Sequence, residues 1–133
     1  MDAHARVLFS VAALFNFIAA LAFIFFTPQL ADVAGMRPIP SDPLFTHFAA
    51  VLVLAFAWGY ACAALDPVAN RPLIRLGILG KSLVVLMGFV EWYLNNTNWV
   101  FPTFLLADAV FAALFADYLR RRPAGLIRQA ARA

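Results

Sequence analysis

A lysine stands near the middle of the stretch Leu73 to Leu94, which reads LIRLGILGKSLVVLMGFVEWYL and carries Glu91 toward its end. The stretch is long enough to cross a bilayer, which takes about 20 apolar residues. A lysine at the centre of a spanning helix costs about 2.5–3.5 kcal/mol on insertion scales. A chain that keeps Lys81 there must surround it with protein and give it partners. Three further apolar stretches can serve as walls: Val7 to Phe26, Leu44 to Leu65 and about Val100 to Leu119.

The composition supports this setting. The chain is 65% hydrophobic and 13% charged, and it contains 14 phenylalanines. Soluble domains are about 45–50% apolar and about 25% charged. The sequence therefore predicts an all-α integral membrane protein. The expected architecture is a four-helix bundle running up-down-up-down in one transmembrane domain over 1–133, with spans at about 7–26, 44–65, 73–94 and 100–119. The first stretch also has the position of a secretory signal. Its apolar run exceeds the usual signal core of about 7–15 residues, and no A-x-A-like site follows closely, so it reads as a retained span.

The connections carry their own signals. Thr27 is placed to cap a short surface helix, with Pro28 at its first position and Gly35 past its end. Pro38, Pro40 and Pro43 stiffen the rest of the 27–43 loop, and Ser41 or Asp42 can cap the second span. Ala55, Gly59 and Ala63 recur every fourth residue, a pattern that lets a neighbouring helix approach closely. The short turn from Asp66 to Pro72 makes spans two and three antiparallel neighbours. Trp92, Tyr93 and Trp99 are placed as interfacial anchors.

Arginine placement sets the orientation. Four spans put Arg6, Arg71, Arg75, Arg120, Arg121, Arg122, Arg128 and Arg132 on one side and Arg37 on the other. The positive-inside rule makes the first side, with both termini and the basic 120–133 tail, cytoplasmic. The expected location is the bacterial inner membrane, with 27–43 a periplasmic loop. The tail arginines act as a stop-transfer anchor facing anionic headgroups. The net charge of +3 is no nucleic-acid signal.

The polar residues fall into two layers. At about 1.5 Å per residue, Lys81 lies about 12 Å and Asn16 about 13 Å from the cytoplasmic surface. Asp108, counted from the other surface of a core about 30 Å thick, lies about 18 Å from the same reference. A lysine side chain spans the difference, so Lys81, Asp108 and Asn16 form a candidate ligand-binding or structural layer. Gly77, Lys81, Val84 and Gly88 share one stripe of span three, and Ala12, Asn16 and Ala20 share one of span one. Asp117 is out of phase with Asp108 and reads as a surface residue screened by Arg120 or Arg121. His47 and Glu91, each about 5 Å below the far surface, form a second layer. They can act as an acid–base pair or simply sit where water reaches them.

Other chemistries are poorly served. Cys62 is the only cysteine, which leaves no intrachain disulfide, redox pair or thiolate cluster. His4 and His47 fall on opposite sides of the membrane, so a bis-histidine haem is not built. No GxSxG or HExxH occurs, and the GILGK of Gly77 to Lys81 lacks the spacing of a phosphate loop. No cofactor or metal is expected. The expected partners are membrane lipids, an apolar small molecule and a homo-oligomer or membrane complex, with no nucleic acid.

Three short elements carry a resemblance. Trp58-Gly59-Tyr60-Ala61, Gly77-x-x-Gly80-Lys81 and the segment Leu105 to Ala112 resemble those of small bacterial four-span proteins grouped as DoxX-like. The resemblance covers about Leu44 to Leu119, leaving out the first span and the proline-rich loop. It implies a four-helix membrane bundle and carries over no catalytic residue. The expected function is the binding of an apolar or lipid-like ligand, or a partner helix, around the Lys81–Asp108 layer. The alternative is a lipid- or isoprenoid-modifying enzyme, isomerase-like, in which His47, Glu91 and Asp108 exchange protons. A proton-coupled small exporter ranks last, because its class needs a carboxylate in the first span, where this chain has Asn16. The topology is directly testable: reporters active only in the cytoplasm should work when fused at Met1 and at Ala133. A periplasmic readout at either end would break the four-span reading.

Overall fold

The computed structural model describes residues 3–36, 39 and 42–122. Among them it is all-helical, with five helices: α1 Ala3–Phe25, α2 Thr27–Val33, α3 Leu44–Leu65, α4 Arg71–Tyr93 and α5 Val100–Arg121. Four of these, all but α2, are long and apolar enough to cross a membrane. They coincide with the expected spans to within a few residues at each end. Arg37, Pro38, Pro40 and Ser41 lie outside the described residues, as does the tail 123–133 with Arg128 and Arg132.

One buried cluster fixes the direction of every long helix. It joins Ala5, Phe9 and Ala12 from the start of α1 to Tyr60, Ala63 and Ala64 from the end of α3. It also takes Ile74 from the start of α4 and Phe115 from the end of α5. The helices therefore run up-down-up-down. The beginning of α1 and the end of α5 share one end of the bundle, hereafter the near end; α2 and the α4–α5 turn occupy the far end.

The helices associate as two close pairs, α1 with α3 and α4 with α5. Small residues permit this. In α1 the buried positions are Ala5, Phe9, Ala12, Asn16 and Ala20, and in α3 they include Ala50, Ala57, Ala63 and Ala64. In lipid, where apolar burial gives no drive toward association, such close approach supplies the packing energy instead. Helices α3 and α4 are antiparallel and do touch. They are held further apart, because Phe56 packs on Gly80 and Tyr60 on Gly77.

The packed face of α3 is not the expected one. Ala63 is buried, but Ala55 is exposed and Gly59 only half-buried. The inward stripe instead runs through Ala57, Tyr60 and Ala64. On α4, Gly77, Lys81 and Gly88 are buried as expected, while Val84 remains 39% exposed.

The helix ends show which polar groups are satisfied. Thr27 does not cap α2: it is the first helical residue, and its hydroxyl donates back to the Phe23 carbonyl at 2.5 Å. Pro43 takes the N-cap position of α3, and Asp42 just ahead of it accepts from the Leu44 N–H through Oδ1 at 2.8 Å. Asn70 stands at the start of α4, but its amide donates to the Cys62 and Asp66 carbonyls at the end of α3. Both far-end helices finish alike. Gly35 (φ 70°) follows α2 and Asn95 (φ 60°) follows α4. In each case the next N–H reaches back to close the last turn, Met36 to Ala31 and Asn96 to Glu91.

The glycines of α3 and α4 should therefore differ in their tolerance of a methyl group. A Cβ on Gly77 would lie 2.7 Å from the Tyr60 ring and 3.2 Å from that of Phe115, whereas one on Gly59 would meet Leu73 at 3.9 Å. Gly77→Ala should destabilise by about 1–3 kcal/mol, the usual range for overpacking. Gly59→Ala should be neutral or stabilising, since it gains helix propensity of up to about 1 kcal/mol. Thermal unfolding in mild detergent compares the two, and equal losses would show that the packed face has been misplaced.

Candidate functional site: the Lys81 layer

Lys81 projects from α4 into the space between the two helix pairs and is only 4% exposed. Its neighbour on the same stripe is Gly77, where the lack of a side chain makes room for the Tyr60 and Phe115 rings. The Lys81 Nζ donates to Asp108 Oδ1 on α5 at 2.5 Å and to Asn16 Oδ1 on α1 at 3.1 Å. The three residues expected to share a depth are thus in direct contact. An ammonium has three donors, so these two bonds leave part of its charge to be met otherwise.

Aromatic faces meet it. The Nζ lies 5.3 Å from the Phe15 ring centroid, 5.4 Å from that of Tyr60 and 5.0 Å from that of Phe111. Each distance is within cation–π range, where a desolvated contact contributes up to about 2 kcal/mol. Sequence reasoning did not find these rings. A weak signal existed: Phe15 precedes Asn16, and Phe111 follows Asp108 by one helical turn. Among 14 phenylalanines that signal does not stand out.

The two charges differ in access. The Asp108 side chain is 13% exposed against 4% for Lys81. The lysine is enclosed by protein, while part of the aspartate side chain remains accessible. A group arriving from outside the bundle would meet the acid and not the amine. The arrangement can hold a hydrogen-bond donor or a cation at that side chain, with the lysine fixing the carboxylate's position.

The second expected layer is not assembled in this way. Glu91 Oε2 accepts from the Asn96 side chain at 2.8 Å, and the Glu91 carbonyl accepts from the Asn96 N–H at 3.0 Å. Glu91 thereby closes the far end of α4. His47 is exposed in the first turn of α3, and no hydrogen bond joins it to Glu91 among the described residues. Asp117 pairs with Arg121 at 2.8 Å on an exposed face, one of the two partners expected for it. A shallow groove of about 190 Å³ lies toward the far ends of α4 and α5, lined by Phe89, Trp92, Trp99 and Pro102 among others, and shares no residue with the Lys81 layer.

Breaking the layer should follow the rule for buried pairs. Lys81→Met or Asp108→Asn leaves the remaining charge uncompensated, which costs about 3–5 kcal/mol. The double variant should recover most of that loss, because no charge is stranded. Asn16→Ala removes one bond to a charged group, about 1.5–3 kcal/mol, and its small side chain matches Ala12 and Ala20 on the same stripe. A double-mutant cycle read by thermal stability in detergent checks all three; additive losses for Lys81 and Asp108 would mean that the two do not interact.

No family model, no curated protein and no solved structure matches this chain, so its site is read from its geometry.

Proposed function

We propose that this is a multi-pass protein of the bacterial inner membrane, both ends cytoplasmic, that binds an apolar or lipid-like molecule against the Asp108 edge of the Lys81 layer. One observation carries the reading: the bundle core is lopsided. The largest fully buried side chains, Tyr60, Phe9, Phe115 and Ile74, all lie on the near side of Lys81. Among the described residues of the far side, only small or narrow ones are buried, such as Ala20, Ala50, Gly88 and Pro102. There the helices present Leu52, Val84 and Met87 at 49%, 39% and 44% exposure. Apolar surface of this kind, present on the near half too at Leu76 and Leu79, must be covered by acyl chains or by another apolar body. A long apolar body lying between the pairs, with a small donor group at Asp108, would cover it. A partner helix with a polar side chain would fill the same space. The likeness to DoxX-like four-span proteins fits either occupant and distinguishes neither.

Mass spectrometry of what the protein retains in mild detergent tests this. An apolar molecule carrying a hydroxyl or amine should be held in a fixed ratio to protein and be lost in the folded Lys81→Met/Asp108→Asn variant. Retention of only bulk phospholipid, equal in both proteins, would overturn the reading.

A further inference from the structure

We infer that the two helix pairs pivot about the aromatic core at the near end, and that Asn98 latches them together at the far end. This goes beyond the ligand reading, since it concerns how the bundle opens whatever enters it.

The contacts between the pairs are unevenly distributed. The ring contacts that join them are Phe9–Phe115, Phe9–Tyr118, Phe15–Phe111 and Tyr60–Phe115, with centroids 4.9–5.4 Å apart. All lie on the near side of Lys81. Beyond that layer, Gly88 packs within its own pair, against Leu105 and Phe101. At the far surface Asn98, in the α4–α5 turn, bonds across to the end of α2.

That residue completes the end of α2. A helix leaves its last four carbonyls without helical partners. In α2, Met36 N–H serves Ala31 and Gly35 N–H serves Asp32. The other two are served from the opposite pair: Asn98 Nδ2 donates to Val33 at 2.9 Å, and Asn98 N–H donates to Ala34 at 2.8 Å. Gly35 allows the approach, because a Cβ there would lie 3.0 Å from the Asn98 side chain. Asn98 Oδ1 meanwhile caps the first turn of α5, accepting from the Val100 N–H at 3.0 Å. One side chain thus holds both its own helix and the neighbouring pair.

Asn98→Asp separates these roles. Aspartate caps a helix as well as asparagine does, so α5 keeps its start. The donor to Val33 is lost, and a carboxylate oxygen faces that carbonyl instead. Gly35→Ala attacks the same joint from the other side, by sterics and by its positive φ. Pulsed electron–electron spin resonance reads the outcome in a Cys62→Ala background. One label pair, at Phe25 and Tyr93, spans the far ends; a second, at Leu65 and Arg120, spans the near ends. All four positions are exposed. Either variant should lengthen and broaden the far-end distance distribution and leave the near-end distance unchanged. An unchanged far-end distance would overturn the latch. Parallel broadening at both ends would overturn the pivot, because Asn98 would then hold the fold as a whole. Neither readout involves a bound molecule, so an empty protein by mass spectrometry would sink the binding reading and leave this one standing.

Discussion

The charge on Lys81 must be met inside an apolar environment, and most of the bundle follows from how it is met. Removing an ammonium from water costs several kcal/mol even after relaxation. One carboxylate and one amide offset that cost only if they arrive at the same depth from different helices. Asp108 comes from α5 and Asn16 from α1. Their helices can come this near because Gly77 beside Lys81, and Ala12 and Ala20 beside Asn16, leave room. The ion pair is poor evidence of stability as such, since an apolar replacement often does as well. It does fix register: sliding α5 by one turn would carry Asp108 about 5 Å away and strand both charges.

Lipid then explains why the rest of the core is uneven. Helices in a membrane gain from fit, not from escaping water. Within each pair the fit comes from alanines and glycines. Between the pairs it comes from rings, which hold the backbones further apart and fill only the near half. In the far half the buried side chains are small, and the tie made by Asn98 uses backbone carbonyls that would otherwise be left unpartnered at the end of α2. Unpaired carbonyls at a membrane surface still find water, so this tie is worth less than the ring core. The two ends are therefore unequal in strength by construction.

Some of this was legible in the residues and some was not, for physical reasons. The four spans were, because length and apolarity decide membrane crossing with little help from tertiary context. So was the layer of Lys81, Asp108 and Asn16, since rise per residue converts position into depth. The packed face of α3 was not. A helix apolar all round has no phase, and alanines stand at both Ala55 and Ala57, so small-residue spacing alone chose the wrong stripe. The pairing of α1 with α3 was hidden for a related reason: a short turn makes α3 and α4 neighbours in space, but Phe56 and Tyr60 keep them from being the closest pair. The Thr27 cap failed because its hydroxyl found the Phe23 carbonyl one turn back, a local competition that composition does not reveal. Asn98 carried no sign of its reach to α2, which depends on how the far ends meet.

The layer and the latch bear on each other through which helices each bond joins. The ion pair Lys81–Asp108 lies within the pair α4/α5, so a pivot carries both partners together. The bond from Lys81 to Asn16, at 3.1 Å, crosses from one pair to the other. Opening the far end would release the Asn98 bonds, then break this hydrogen bond, and leave the ion pair intact. At the layer the loss is then that of one bond to a charged group, about 1.5–3 kcal/mol, rather than the larger penalty for stranding a charge. An open form higher by a few kcal/mol would be populated at about 0.1–10%. A carboxylate at Asn16 would set two acids against one ammonium and leave a buried charge uncompensated. An amide at this position is strong enough to hold the layer and weak enough to release it.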